Sequence, residues 1–252
     1  MRESKGSSRN FINRGENMNI FLSGGSGGIG SEIIKSFSAD SDTVIYFTYC
    51  HNASKADSLQ KDYPNARGLR CDFSSRDGLL GLISKCSDIE FDVIINNAFS
   101  KIILEKFYAT DWEKIQEVID VGVRSAFKLT QALSWSMKKR KKGHIINILS
   151  SVTLGDPPAQ VIPYVMAKYA LWGFHNALAA ELTKTGIHVN AISPHMTETA
   201  FLSELPEHYI ALIKDSLPGK ELLKPCEIAA MAKCLVSNQI NGVNVPIMSA
   251  RS

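Results

Sequence analysis

One glycine-rich segment constrains the fold of this chain more than any other stretch. Residues 18–23 form a short apolar run, and residues 24–30 then contain five glycines. A helical pattern follows, with apolar side chains on one face: Ile29, Ile33, Ile34 and Phe37. A strand, a tight turn and a helix in this order direct backbone N–H groups and a helix N-terminus at a phosphate, where a Cβ would obstruct the turn or the ligand. The segment therefore predicts a phosphate-binding turn.

Strand patterns alternate with helical patterns along the rest of the chain. Apolar or β-branched runs predict further strands at residues 44–49, 69–72, 91–98, 144–151 and 188–192. Helical periodicity covers residues 111–137 and 164–183. This alternation, without a linker or repeat, predicts a single α/β domain built on a doubly wound parallel sheet with helices on both faces. We place the domain at residues 18–252 and expect residues 1–17 to be a disordered extension, with Met18 as an alternative start.

The composition excludes several other classes of protein. Of the 252 residues, 44% are hydrophobic and 21% are charged, which is typical of a globular domain with a sizeable core. The net charge of +3 gives no reason to expect nucleic acid or a membrane as a partner. No apolar run approaches the ~18 residues of a membrane span, and the polar start contains no signal peptide. The five cysteines lack C-x-x-C spacing, so we expect reduced thiols, no metal site and a cytoplasmic protein.

Tyr164 and Lys168 are candidates for proton transfer. They lie four residues apart and therefore share one face of a helix. Tyrosine has a pKa of about 10 in water. A neighbouring ammonium group favours the phenolate and is expected to bring that pKa toward neutral pH. The same spacing is common on solvated helix faces, so the pair alone leaves both interpretations open.

The glycine turn also fits a second class of enzyme. Gly24, Ser26 and Gly28 match Gly-x-Ser-x-Gly, the nucleophile elbow of hydrolases, with Ser26 as the nucleophile. Such an elbow normally follows several strands, whereas this one follows the first predicted strand. No convincing Asp and His partners come later in the chain. The phosphate-binding interpretation is therefore preferred.

The end of the second predicted strand bears on the choice of cofactor. In a dinucleotide fold, an Asp or Glu at this point binds the ribose 2′-hydroxyl of NAD. Residues 48–52 contain no carboxylate, which favours NADP(H) over NAD(H). No arginine is nearby to meet a 2′-phosphate, and His51 is a poor substitute near neutral pH.

Several motifs occur in a familiar order. They are Ser23-Gly24 with Gly28-Ile29-Gly30, Asn96-Asn97-Ala98, Ser150, Tyr164-x-x-x-Lys168 and Pro194-x-x-Thr197-x-Thr199. Together they resemble the short-chain dehydrogenase/reductase family over about residues 18–245. The resemblance implies a Rossmann fold and an NAD(P)-dependent oxidoreductase, and within the family the chain is most similar to 3-oxoacyl-[acyl-carrier-protein] reductases.

The resemblance also implies roles for individual residues. Tyr164 would donate a proton to the substrate oxygen, Lys168 would lower the tyrosine pKa and hold the nicotinamide ribose, and Ser150 would bind the carbonyl. Among the cofactor contacts, Asp72 would meet the adenine and Asn96 the adenosine ribose. The implied cofactor-binding set is Ser23, Gly24, Ser26, Gly28, Ile29, Gly30, Asp72, Asn96, Ala98, Tyr164, Lys168, Pro194, Thr197 and Thr199.

The active serine is ambiguous from sequence. Strand register gives Ser150 the family position, whereas the distance to Tyr164 along the chain fits Ser151. Alternate residues of a strand face opposite sides, so only one of the two can face the substrate. We prefer Ser150.

The chain also departs from the family pattern. Gly122 replaces an asparagine that holds a water in the proton relay to the lysine, and Phe99 and His195 each replace a glycine. Residues 247–250 stand where the family pattern ends in an acidic, glycine-rich segment. The change at Gly122 is expected to weaken the proton relay, and His195 is expected either to contact the substrate or simply to fill space.

The resemblance implies a substrate and partners. Arg140 lies in a run of five cations at residues 138–142, at a place where the related reductases dock the acidic acyl carrier protein; a solvated helix end is the alternative. An apolar helical stripe over residues 200–217 predicts a substrate lid at about residues 200–222. The favoured function is NADPH-dependent reduction of a 3-oxoacyl thioester by a homotetramer or homodimer. The alternatives are an oxidoreductase acting on another small carbonyl or alcohol, or a weakened cofactor-binding subunit of a hetero-oligomer.

Overall fold

The computed structural model describes residues 17–199, 202, 205–217 and 219–249. The predicted extension lies outside these residues except for Asn17. The strands are Met18–Leu22 (β1), Thr43–Tyr49 (β2), Ala66–Arg70 (β3), Val93–Asn96 (β4), Gly143–Ile148 (β5), Ile187–Pro194 (β6) and Asn244–Ile247 (β7). The α-helices are Gly28–Ser38 (α1), Ala53–Asp62 (α2), Arg76–Lys85 (α3), Trp112–Ile119 (α4), Ser125–Leu133 (α5), Trp135–Arg140 (α6), Ile162–Leu182 (α7), Glu207–Ser216 (α8) and Pro225–Ser237 (α9).

The seven strands form one parallel sheet in the order β3-β2-β1-β4-β5-β6-β7, which confirms the predicted fold class. Strand β1 alternates between two cores: Ile20 packs with α1 and α9 on one face, and Phe21 packs with α3 and α5 on the other. The strand order reverses between β1 and β4, and such a point opens a crevice at the carboxyl ends of the strands. Among the described residues, no helix is long and apolar enough to cross a membrane.

The long helix predicted over residues 111–137 is interrupted. A π-helical turn, Asp120–Arg124, separates α4 from α5, and α6 begins after a further break at Ser134. The Ser125 hydroxyl donates to the Val121 carbonyl inside this region. Because a π-helical turn inserts an extra residue into the helical ladder, it rotates the side chains that follow it. The prediction of one continuous helix is therefore wrong.

The predicted lid is helical over only part of its length. Helix α8 begins at Glu207, directly after Pro206, whereas Leu202 and Leu205 precede it and are buried. Proline disfavours helical backbone in the residue before it, so a helix cannot run through this point unbroken. Residues 200, 201, 203, 204 and 218 of the predicted lid lie outside the described residues.

Strand β7 was not predicted from the sequence. It is short, pairs with β6 alone and contains Pro246. Proline cannot donate a ladder hydrogen bond and is tolerated at a sheet edge, which weakens the strand pattern in the sequence.

Candidate functional site

A cavity of about 1200 Å³ opens at the carboxyl ends of the strands, around the point where their order reverses. The glycine turn after β1 forms one wall, the ends of β4 and β5 form the floor, and α8 lies over the opening. Most of the predicted site residues line it: Gly24, Ser26, Gly28, Ile29, Asp72, Ala98, Ser150, Tyr164, Lys168, Pro194, Thr197 and Thr199.

The glycine turn fits a nucleotide phosphate. Gly24 has a φ of +71°, and a Cβ on Gly30 would lie 2.3 Å from the Gly24 carbonyl oxygen, so α1 can pack this closely on the turn only with glycine at both positions. Gly27 precedes α1 and has no side chain with which to cap the first N–H groups of the helix. These groups are available to an anion in the cavity, where the helix dipole favours negative charge.

Three predicted cofactor residues, Ser23, Gly30 and Asn96, are not among the residues that line the cavity. The Ser23 hydroxyl accepts the N–H groups of Asn97 and Ala98, each at 2.9 Å. The Asn96 amide donates inward, to Thr130 at 2.9 Å and to Asn147 at 2.8 Å. These residues support the cavity wall from behind it.

Two residues that shape this wall were not predicted from the sequence. The Asn97 side-chain amide donates to the carbonyls of Ser23 and Gly24, both at 3.0 Å. The Thr48 hydroxyl accepts the Gly24 N–H at 2.9 Å. A signal for Asn97 was present in the Asn96-Asn97 pair, since neighbouring residues at a strand end face opposite sides.

The end of β2 forms the far wall of the cavity, with residues 48–52 lining it. Asp72 lies beside them and accepts the N–H and hydroxyl of Ser74, at 2.9 and 2.7 Å. These hydrogen bonds lower the pKa of Asp72, so the residue is ionised at neutral pH. No arginine is among the described residues that line the cavity.

Ser150, Tyr164 and Lys168 meet on the floor of the cavity. Ser150 follows β5 and lies close enough to Tyr164 for its side chain to lower the pKa of the phenol, while its oxygen accepts the Val152 N–H at 3.3 Å. Lys168 Nζ donates to the Ile148 carbonyl at 3.0 Å. Since Ser150 and not Ser151 acts on the pKa of Tyr164, Ser150 is favoured as the serine of this group.

Burial favours the neutral form of both Tyr164 and Lys168. It raises the pKa of Tyr164 to about 12, although the Ser150 side chain acts in the opposite direction. It lowers the pKa of Lys168 to about 7. The expectation that Lys168 brings the tyrosine pKa toward neutrality is therefore not met in the free protein, because desolvation of the phenolate dominates. Tyr164 is a protonated acid at neutral pH.

His195 places an imidazole ring where the family pattern has a glycine. It lines the cavity beside Thr197, whose hydroxyl donates to the His195 carbonyl at 2.9 Å. Burial lowers the pKa of His195, so its ring is neutral near pH 7. Its Nδ1 is buried without a hydrogen-bond partner among the described residues.

The geometry does not favour the hydrolase alternative. Ser26 lines the cavity on the glycine turn. A serine nucleophile requires a histidine base within hydrogen-bonding distance. Within the described part of the chain, Ser26 makes no hydrogen bond to a histidine.

The chain resembles several known proteins. It is 29% identical over 237 residues to the uncharacterized oxidoreductase YmfI of Bacillus subtilis, covering 92% of this chain and 97% of that protein. It is 29% identical over 227 residues to an acetoacetyl-CoA reductase of Acinetobacter, covering 86% and 89%. The structure of a 3-oxoacyl-[acyl-carrier protein] reductase from Brucella melitensis superposes with a TM-score of 0.81 at 25% identity, covering 92% and 90%.

The family itself is identified by a match over most of the chain. Residues 18–210 match the sequence profile of the short chain dehydrogenases. The matched segment contains the glycine turn, the end of β4 and the Ser150, Tyr164 and Lys168 group. The chain therefore belongs to the short chain dehydrogenase family.

Proposed function

We propose that this protein is a ketoreductase that reduces the ketone of a 3-oxoacyl thioester to the alcohol with a nicotinamide cofactor. The observation that carries the proposal is that Ser150, Tyr164 and buried Lys168 line the same cavity as the glycine turn. The acetoacetyl-CoA reductase and the 3-oxoacyl-[acyl-carrier protein] reductase among the similar proteins support this choice of substrate.

The residues of the chain divide the work between binding and proton transfer. The glycine turn and the N-terminus of α1 would hold the cofactor phosphates, and Thr197 and Thr199 would contact its nicotinamide half. The bound nicotinamide supplies the hydride. The Ser150 hydroxyl would polarise the substrate carbonyl by donating a hydrogen bond to its oxygen.

Tyr164 would donate its proton to the oxygen of the substrate. Because burial keeps the phenol protonated, the group is ready to act as an acid at neutral pH. A phenolate formed by this step would be stabilised by the positive charge of Lys168. The arrangement therefore suits reduction near neutral pH and oxidation at alkaline pH.

We propose NADP(H) as the preferred cofactor. Residues 48–52 line the cavity and contain no carboxylate to repel a 2′-phosphate. Cys50 is the best position at which to test this, because it is partly buried in that wall.

The apolar part of the cavity suits an acyl chain. Helix α8 and the segments beside it contribute five apolar or aromatic side chains: Leu202, Leu205, Tyr209, Ile213 and Met248. His195 stands among them and would contact the thioester end of the substrate. An acyl carrier protein is the proposed donor of this substrate, and a homotetramer or homodimer is the proposed assembly.

Arg140 is less available to a carrier protein than its sequence context suggested. Its guanidinium forms an ion pair with Asp92 at 2.6 Å and donates to the Phe91 carbonyl at 2.5 Å. Lys141 and Lys142 of the same run are exposed. We therefore expect these two lysines to carry more of the attraction to an acidic carrier than Arg140.

Tyr164→Phe should abolish turnover while leaving cofactor binding intact. The variant lacks the proton but keeps the ring, so kcat for acetoacetyl thioester reduction should fall by about a thousandfold. NADPH affinity, followed by cofactor fluorescence, should change less than about threefold. Tyr169→Phe, on the exposed side of the same helix, is the matched control. Tight NADPH binding without turnover by the wild-type protein would exclude the reductase proposal.

Cys50→Arg should increase selectivity for NADPH over NADH. An arginine here can form charge-assisted hydrogen bonds with a 2′-phosphate, so kcat/KM for NADPH should rise about tenfold. The value for NADH should stay unchanged, as should both values in the exposed control Cys226→Arg. A wild-type preference for NADH would overturn the cofactor assignment.

Replacement of Lys141 and Lys142 by glutamate should weaken recognition of a carrier protein. KM should rise about tenfold for a 3-oxoacyl carrier protein and remain constant for the same acyl group on coenzyme A. Glutamates at Lys55 and Lys61 on α2 provide a control of equal charge change. Equal KM changes for both substrates would show that these lysines are not a docking site.

A further inference from the structure

Two departures from the family pattern contact each other beside Lys168. Gly122 lies in the π-helical turn, and Phe99 lies in the segment that follows β4. A Cβ on Gly122 would be 2.6 Å from Cε2 of Phe99 and 2.9 Å from its Cδ2. Atoms cannot approach this closely in a packed interior. The Phe99 ring therefore fills the volume that a side chain at position 122 would need.

The same ring contacts both residues of the proposed proton-transfer pair. Lys168 Nζ lies over the ring, 4.2 Å from its centroid. The Tyr164 ring packs against it edge to face, with 5.2 Å between centroids and 76° between planes. The face of an aromatic ring attracts a cation within about 6 Å, most strongly where water is excluded.

Lys168 has few other groups to stabilise its charge. Its side chain is 5% exposed, and Nζ donates to the Ile148 carbonyl. The charged groups of the adjacent π-helical turn, Asp120 and Arg124, pair with each other at 3.1 Å. In the described part of the chain, no carboxylate forms an ion pair with Lys168. A buried ammonium without a carboxylate is costly, which makes the ring face important to it.

We propose that Phe99 is a positioning residue whose ring face holds Lys168 in its charged form beside Tyr164, and that Gly122 provides the space for this ring. The inference rests on the proposed role of Tyr164 and Lys168 in proton transfer. An aromatic ring thus takes the place at which a polar side chain would hold water.

A double-mutant cycle tests the ring–ammonium contact without any substrate. Phe99→Leu and Lys168→Met are combined, and urea unfolding is measured at pH 6, where Lys168 is charged. The unfolding equilibrium constants should show a coupling of about tenfold between the two positions. A cycle of Lys168→Met with Phe21→Leu, a buried ring packed against Phe91 instead, should show no coupling.

The pH profile of reduction separates positioning from simple filling of space. Reduction of an acetoacetyl thioester leaves a phenolate on Tyr164, which Lys168 stabilises only in its charged form. Phe99→Leu should lower the pKa of Lys168 and therefore move the alkaline limb of the kcat profile downward by about one pH unit. A ring that only fills space would lower the rate equally at every pH.

Gly122→Ala tests whether the glycine at position 122 is needed to make room for the Phe99 ring. The added Cβ should lower the stability of the wild-type protein and cost little in a Phe99→Ala background, where Cδ2 and Cε2 of the ring are both absent. Gly81→Ala on α3 is the control, because nothing lies within 4 Å of a Cβ there.

The proposal would be overturned by an absent coupling between Phe99 and Lys168 together with an unmoved alkaline limb of the reduction profile. A wild-type protein that reduces no thioester would instead defeat the proposed function, and the unfolding cycle would still measure the contact between the ring and the ammonium group.

Discussion

The hydrogen bonds that join the ends of β1 and β4 are the interaction on which the site depends. The Ser23 hydroxyl accepts two N–H groups from the end of β4, and the Asn97 amide returns two hydrogen bonds to the end of β1. These hydrogen bonds lie where the strand order reverses, so they fix the positions of the two strand ends that border the crevice. The glycine turn begins on one side of this junction and Phe99 on the other. One junction thus positions both the proposed cofactor site and the ring beside Lys168.

Lys168 lies on the floor of the cavity, where burial disfavours the charged form of its amine. Lys168 is held by a backbone carbonyl and an aromatic face, and burial lowers its pKa to about 7. Tyr164 is kept protonated by the same burial. The two groups depend on each other, because a charge formed on either one stabilises the opposite charge on the other. In the proposed reaction, the proton of Tyr164 is transferred when a substrate oxygen is bound beside it.

The sequence predicted the class of fold and most of the cavity wall because those signals are local. Strand, glycine turn and helix follow one another directly, and Tyr164 and Lys168 lie one turn apart. The contact between Phe99 and Gly122 was not predictable, since it joins distant segments and depends on a π-helical turn that leaves no periodic signature. Both residues were recognised as departures from the family, but only the structure shows that they pack against each other. The break at Pro206 and edge strand β7 were likewise decided by tertiary context.

The central claim is that Tyr164 exchanges its proton with the substrate. Its most direct test is the pH dependence of kcat for oxidation of a 3-hydroxybutyryl thioester by NADP⁺, with thioester reduction measured in parallel. Burial holds the phenol protonated in the free protein. The oxidation rate should therefore climb with pH through the alkaline range, while reduction is retained near neutral pH. An oxidation rate that is independent of pH between about 6 and 10 would contradict the account.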